Sequence, residues 1–188
     1  MTQRRSRRTA ADLEEWKDAH SFIRCIQQAA KTEPLFLSTL SKGAAIPIIP
    51  GLPRTVFSRA EEAGGGEVHS GVARLFAHYY KMSGRERQDK IDDLGTGSMG
   101  RALSRLPSPL GLHESSNLYL DAFLRSRSRL PWRPLTKAVG ALGRRGCRPP
   151  DWRELVLDLS RWHHPRNRAT GTPSVSERWW NDYQPRRT

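Results

Sequence analysis

His163 and His164 are the side chains that most readily suggest metal binding, and their spacing argues against it. Adjacent residues on a helix point about 100° apart, so the two imidazoles are poorly placed to share an ion. His20, His69, His78 and His113 lie in unrelated segments. The sequence has no CxxC and no HExxH, so no zinc site is expected. Asp89, Asp92 and Asp93 would suit a metal-dependent nuclease only with a partner cluster. In a polar linker they read as a solvated acidic turn. GxxxxGK[ST], GxGxxG ahead of a helix and GxSxG are missing too, and Gly95, Gly97 and Gly100 come with neither a lysine nor a preceding strand. We expect no catalytic apparatus, no metal and no cofactor.

The basic residues carry more information. The 188 residues include 32 Lys or Arg against 19 Asp or Glu, a net charge of +13. Most of the bases are Arg, whose planar fork grips phosphates bidentately. A G+C-rich genome also enriches Arg, so the bias alone decides nothing. Position decides more. Residues 1–8 hold four Arg and no acid, residues 9–99 hold 11 basic and 12 acidic residues, and residues 100–188 hold 17 basic and 7 acidic. Such asymmetry between halves points to a polyanion contacted through the second one. The candidates there are Arg101 and Arg105, four apart on one expected helix face, then Arg125, Arg127 and Arg129 after a helix end. Lys137, Arg144 and Arg145 follow, with Arg161, Arg166 and Arg168 beyond them. Each alone is an ordinary solvated charge, but together they would line a groove that follows a phosphate backbone.

Helical periodicity supplies the elements that hold these positions. Thr9 and Asp12 resemble a capping box ahead of a helix through Leu13, Trp16, Ile23, Ile26 and Ala30. Pro34 opens a short helix through Leu35, Leu37 and Leu40, ended by Gly43. Residues 46–51 read as an extended connector, and a short helix is expected around Arg54 to Ala60. Val68, Val72, Leu75, Phe76 and Tyr79 mark a firm helix closed near Gly84. Met99, Ala102, Leu103 and Leu106 give a helix starting near Ser98 and stopped by Pro107 and Pro109. Ser115 or Ser116 caps a helix through Leu118, Ala122 and Phe123. Trp132, Leu135, Val139 and Leu142 form the next, ended by Gly143 to Gly146. Asp151 with Glu154, and Ser174 with Glu177, have capping-box spacing. Behind them lie the stripes Trp152, Leu155, Leu159, Trp162 and Val175, Trp179, Tyr183. The Trp residues sit at core positions and read as packing rather than as base-stacking platforms.

The expected fold is therefore all-α, two small helical bundles in tandem. Residues 1–8 form a basic tail, 9–94 the first bundle and 95–188 a basic second bundle. No run of apolar residues is long enough for a membrane span. Arg4, Arg5, Arg7 and Arg8 could open a signal peptide, but the charged stretch that follows has no apolar region, so secretion is not expected. Cys25 and Cys147, far apart in sequence, fit a reducing cytoplasm and no disulfide framework.

The order of motifs carries a family resemblance. Asp151-Trp152-Arg153-Glu154-Leu155 followed by Asp158-Leu159-Ser160-Arg161-Trp162 resembles the "DW..L..DL..W" signature of the CasB family, the small subunit of the type I-E CRISPR surveillance complex, Cascade. Val175, Trp179 and Tyr183 continue it, and Gly97-Ser98-Met99-Gly100-Arg101-Ala102-Leu103 resembles the family's "G.S.GRAL". Phe22-Ile23 through Pro34, and Val72 through Ala77, are similar to its first-half helices. The likeness covers residues 15–184 and is dense from 95 onward. It implies an all-helical, non-enzymatic subunit of two small bundles. It also implies two copies along the inner face of the complex, contacting the backbone and large subunits. The basic surface would there help hold crRNA-paired target DNA and the displaced strand of the R-loop. By position, Arg101, Arg125 and Lys137 match family positions that tend to be basic. The Arg run at the N-terminus, the Gly64 to Gly66 run and the Pro107 to His113 insert fall outside the pattern.

Two other readings stay open on the residues alone. One is a free-standing basic nucleic-acid-binding protein or regulator, with Trp132–Arg145 and Asp151–Trp162 as a helix-turn-helix. Glu154 and Asp158 on the short solvent face of that second helix would suit DNA poorly. The other is an assembly subunit whose basic surface meets guide RNA only through its neighbours.

Overall fold

The computed structural model describes residues 10–33, 35–42, 66–84, 90–107, 114–126, 129–163 and 172–184. Among these residues the chain is all-helical, with eight helices: α1 (Ala10–Thr32), α2 (Phe36–Ser41), α3 (Gly66–Met82), α4 (Met99–Leu103), α5 (Glu114–Arg125), α6 (Trp132–Arg144), α7 (Trp152–Ser160) and α8 (Val175–Tyr183). The expected cap at Thr9, the stop at Gly43, the connector at 46–51 and the helix near Arg54 to Ala60 lie outside the described residues.

α3 is the central helix because its sequence is apolar around most of its circumference. Val68, Val72, Leu75, Phe76, Tyr79 and Tyr80 are all buried, and a helix apolar on most sides must be surrounded. α1, α2, α6 and α7 pack against it. Only the arc carrying Arg74 and Lys81 faces solvent. One buried cluster runs on both sides of the 94/95 division. It extends from Phe22 and Ile26 of α1 through Phe76 of α3 to Ala138, Val139 and Leu142 of α6, and on to Trp152 and Trp179. α1 packs on α7 and α3 on α6, so helices drawn from the two sequence halves interleave.

The short motifs resolve into packing devices. Ser98 caps α4 by accepting from the Arg101 N–H at 3.3 Å, and its hydroxyl donates to Asp182 Oδ2 of α8 at 2.6 Å. Gly100 lets α4 lie directly on α8, since a Cβ there would overlap the Trp179 carbonyl. Asp158, 4% exposed, joins α7 to α8: its carboxylate pairs with Arg178 and accepts from the Trp179 indole N–H at 2.6 Å. Burial pushes the Asp158 carboxyl up, and Arg178 and the indole pull against that. The Trp162 and Trp179 rings then meet at a 49° tilt with centroids 5.3 Å apart.

Several expectations shift by a turn or less. Ser174 and Glu177 form the full reciprocal capping box. Asp151 caps α7 through the Arg153 and Glu154 N–H groups, but it is the Arg153 guanidinium that closes back on it, at 2.6 Å. α5 begins at Glu114, ahead of the serines expected to cap it. Leu118, expected on the apolar stripe of α5, is 68% exposed while Leu120 and Phe123 are buried. Two residues turn a helix by about 200°, so the face that meets α6 and α8 turns Leu118 outward. Leu35 and Leu13 are likewise exposed, and Phe36 takes the core position beside Leu35.

Candidate nucleic-acid interface

The structure separates the expected basic residues into three groups. Arg127, Arg166 and Arg168 lie outside the described residues. Two more are engaged inside the fold. Arg161 holds Asp12 and Glu15 of α1, the first at 2.8 Å, and so ties the end of α7 to α1. Arg105 lies past the end of α4 rather than on it, and its guanidinium donates to the Thr96 carbonyl at 3.1 Å. Its backbone carbonyl meets the Cys147 thiol at 3.4 Å. Arg101 and Arg105 therefore do not share a helix face.

The remaining six, Arg101, Arg125, Arg129, Lys137, Arg144 and Arg145, are exposed and form no ion pair with any described residue. Four of them, Arg125, Arg129, Lys137 and Arg144, lie between the end of α5 and the end of α6. Arg125 closes α5 and Arg129 precedes α6. Lys137 and Arg144 then share an α6 face with Arg133, another exposed cation. At 3.6 residues per turn Arg133, Lys137 and Arg144 fall within about 40° of each other and span about 16 Å of helix. Sequence reading missed Arg133. The helical spacing 133, 137, 144 was the signal that would have found it.

α3 widens this face. The Trp132 indole donates to Glu67 at 2.8 Å, Gly140 lies against His78, and Arg144 reaches the Met82 sulfur at 3.9 Å. Contacts thus advance together along both helices, so α3 and α6 run parallel. His78 and Arg144 meet over Gly140, so the solvent arc of α3, holding Glu67, Arg74, His78 and Lys81, borders the Arg133–Lys137–Arg144 stripe. Arg74 and Lys81 are exposed and form no described ion pair. Neither was expected, because the neutral net charge of residues 9–99 hid two cations on one face.

The acids are positioned to hold the fold instead. Asp92 pairs with Lys31 of α1, and Asp93 takes a bidentate grip from Arg148 at 2.8 and 3.0 Å. The turn expected to be merely solvated is therefore a clamp between α1 and the segment ahead of α7. Asp89 is outside the described residues. No set of three His, Cys, Asp or Glu among the described residues is arranged to hold a metal ion, and no described helix is long and apolar enough to cross a membrane. α7 cannot act as a recognition helix. It is covered by α1 and α3, and Asp158, expected on its solvent side, is buried.

Comparison with known proteins decides the family. The profile of the CRISPR-associated protein Cse2 family matches residues 24–183. The chain belongs to the Cse2 family. No curated protein sequence matches it. Among solved structures, the crystal structure of CasB from Thermobifida fusca superposes with a TM-score of 0.63, covering 89% of this chain and 97% of that one at 16% identity. At that identity the likeness shows the fold. It agrees with the all-α architecture and with the CasB resemblance read from the motifs, and Cse2 membership makes the chain a subunit of the Cascade machinery of CRISPR defence. Within the matched span, the CasB-like motif residues at 97–103 and 151–183 cap and join α4, α7 and α8. The cations of the α3–α6 face lie mostly outside them.

Proposed function

We propose that the chain is the non-catalytic small subunit of a type I-E Cascade, and that the α3–α6 face with the end of α5 holds the displaced DNA strand of the R-loop. The observation that carries this reading is the set of exposed cations without carboxylate partners among the described residues: Arg125, Arg129, Arg133, Lys137 and Arg144, bordered by Arg74 and Lys81. Opening a duplex against a guide RNA is a nearly balanced exchange, so modest contacts to a phosphate backbone tip it. Cations that neutralise phosphates of the displaced strand disfavour its return. Such contacts are indifferent to base identity and weaken steeply with salt. In this role the subunit sits in the cytoplasm against the backbone and large subunits of the complex, beside a second copy of itself, and near the crRNA-paired target strand.

The test is the lifetime of the R-loop in a reconstituted complex carrying Arg125→Glu with Lys137→Glu, measured across salt. The expected result is a shorter lifetime and a shallower salt dependence with the complex still assembled. An unchanged lifetime and salt slope would remove both residues from the site.

A further inference from the structure

The basic face contains one group that can change its charge near neutrality. His78 sits half-buried on α3, in the seam with α6. A Cβ added to Gly140 would lie 2.7 Å from the His78 Nε2 and 3.4 Å from the Arg144 Nη1, so the imidazole and the guanidinium converge on one spot above the α6 backbone. Lys81 follows His78 by one helical turn on the same face. His78 makes no hydrogen bond with any described residue.

Resting on the strand-binding reading above, we propose that this seam is a proton-linked phosphate site, in which His78 takes up a proton as a phosphate oxygen docks between it, Lys81 and Arg144. An imidazolium donates from both ring nitrogens and, with two fixed cations, makes a three-sided anion cradle.

In the free protein the surroundings oppose that proton. Burial first, then the charges of Arg144 and Lys81, hold the imidazole below its ordinary value. Among the described residues no carboxylate offsets them. α2 has no titratable side chain, Glu67 lies about 16 Å back along α3 from His78, and Asp12 and Glu15 of α1 pair with Arg161. On α7, Asp158 faces Arg178 of α8, and Glu154 is raised chiefly by burial and then by Asp158. The free protein therefore disfavours the protonated imidazole. A phosphate supplies the missing negative charge and raises the imidazole pKa. A group whose pKa rises on binding makes binding tighter as pH falls, over the window between its bound and free values.

The experiment uses the full chain at constant ionic strength, in two arms. In the first, anisotropy of a labelled oligothymidylate should show affinity rising about fivefold or more from about pH 7.5 to about pH 5.5, with His78→Gln losing that gain while still binding at the higher pH. In the second, NMR titration follows the imidazole resonance that disappears in His78→Gln, with and without inorganic pyrophosphate, whose addition should raise its midpoint. Gly140→Ala serves as a variant that keeps the imidazole but pushes it off the spot. The colliding atom is the end of a mobile side chain, so the fold survives, and the pH gain should shrink.

If His78→Gln keeps the wild-type pH gain, or pyrophosphate leaves the midpoint unmoved, the site is overturned while strand binding stands. If pyrophosphate raises the midpoint but the oligonucleotide does not bind at any salt, the phosphate site stands and its ligand is a free phosphate, not the strand.

Discussion

Arg178 and Lys137 carry the same charge in the same basic half of the sequence, and the fold uses them in opposite ways. Arg178 crosses from α8 to the buried Asp158 of α7, with Trp179 donating to the same carboxylate. Lys137 stands in solvent on α6, with Arg133 and Arg144 along its face and no carboxylate partner among the described residues. At the α7–α8 junction, the Asp158 carboxylate is desolvated, paired and committed to stability. At the α3–α6 face charge is hydrated and uncompensated, which costs a little in self-repulsion and leaves it available to an external anion. A net charge therefore says little until each cation is assigned to one region or the other.

The comparison breaks most visibly at Asp158. Removing one member of a fully buried pair typically costs about 3–5 kcal/mol, and because the Arg178 side chain is 41% exposed the cost here falls at the lower end of that range, about 3 kcal/mol. Asp158→Ala should lower the stability to urea by that order, because the Trp179 indole and Arg178 both lose their acceptor. Arg133→Ala with Lys137→Ala should leave stability within about 0.5 kcal/mol of wild type, as exposed substitutions do. The same urea curves address how the halves are organised. Since Trp152 and Phe76 lie in one cluster, we expect Trp fluorescence and far-ultraviolet circular dichroism to report a single coincident transition. Two separated transitions would instead show two independently folding bundles.

Next in size is the effect on binding. For a single strand, every phosphate that a cation no longer neutralises takes about 0.7 from the slope of log affinity against log salt. Arg133→Ala with Lys137→Ala should thus flatten that slope by about 1.4 for an oligothymidylate. Arg161→Ala should leave the slope unchanged, because that guanidinium already faces Asp12 and Glu15, and should show its cost in stability instead. A slope change for Arg161 equal to that for Lys137 would erase the distinction between the two regions.

How legible these regions were from sequence follows from what each depends on. The helices of the second half could be read because their caps and stripes are local: Ser174 with Glu177, and the repeat Trp152, Leu155, Leu159, encode themselves within a few residues. The direction in which a short helix faces is not local. Leu118 has the residue type and spacing of a core position, yet the placement of α6 and α8 turns it outward. Arg161 and Lys137 look alike in sequence, and only the packing of α1 against α7 brings two carboxylates to the former. Arg74 and Lys81 escaped notice because a charge count over residues 9–99 averages a basic arc of α3 with acids elsewhere, several of which pair across helices.

Glu154 sharpens the contrast at its fine edge, since it is an acid at the structural junction that the fold does not fully satisfy. Burial, then the neighbouring Asp158, push its carboxyl up to about 7, against the pull of Arg178. A carboxyl raised in the folded state favours folding fully only below its unfolded value, near 4.5. That contribution is lost as pH climbs through about 7. Glu154→Gln keeps the shape and removes the titration. It should therefore match wild type near pH 4 and be more stable by about 1–2 kcal/mol near pH 8, a figure reduced for the partial exposure of the side chain. Urea midpoints at the two pH values read this directly. Equal stabilisation at both would mean that the gain comes from packing, and that the Asp158–Arg178 pair tolerates a neighbouring charge without cost.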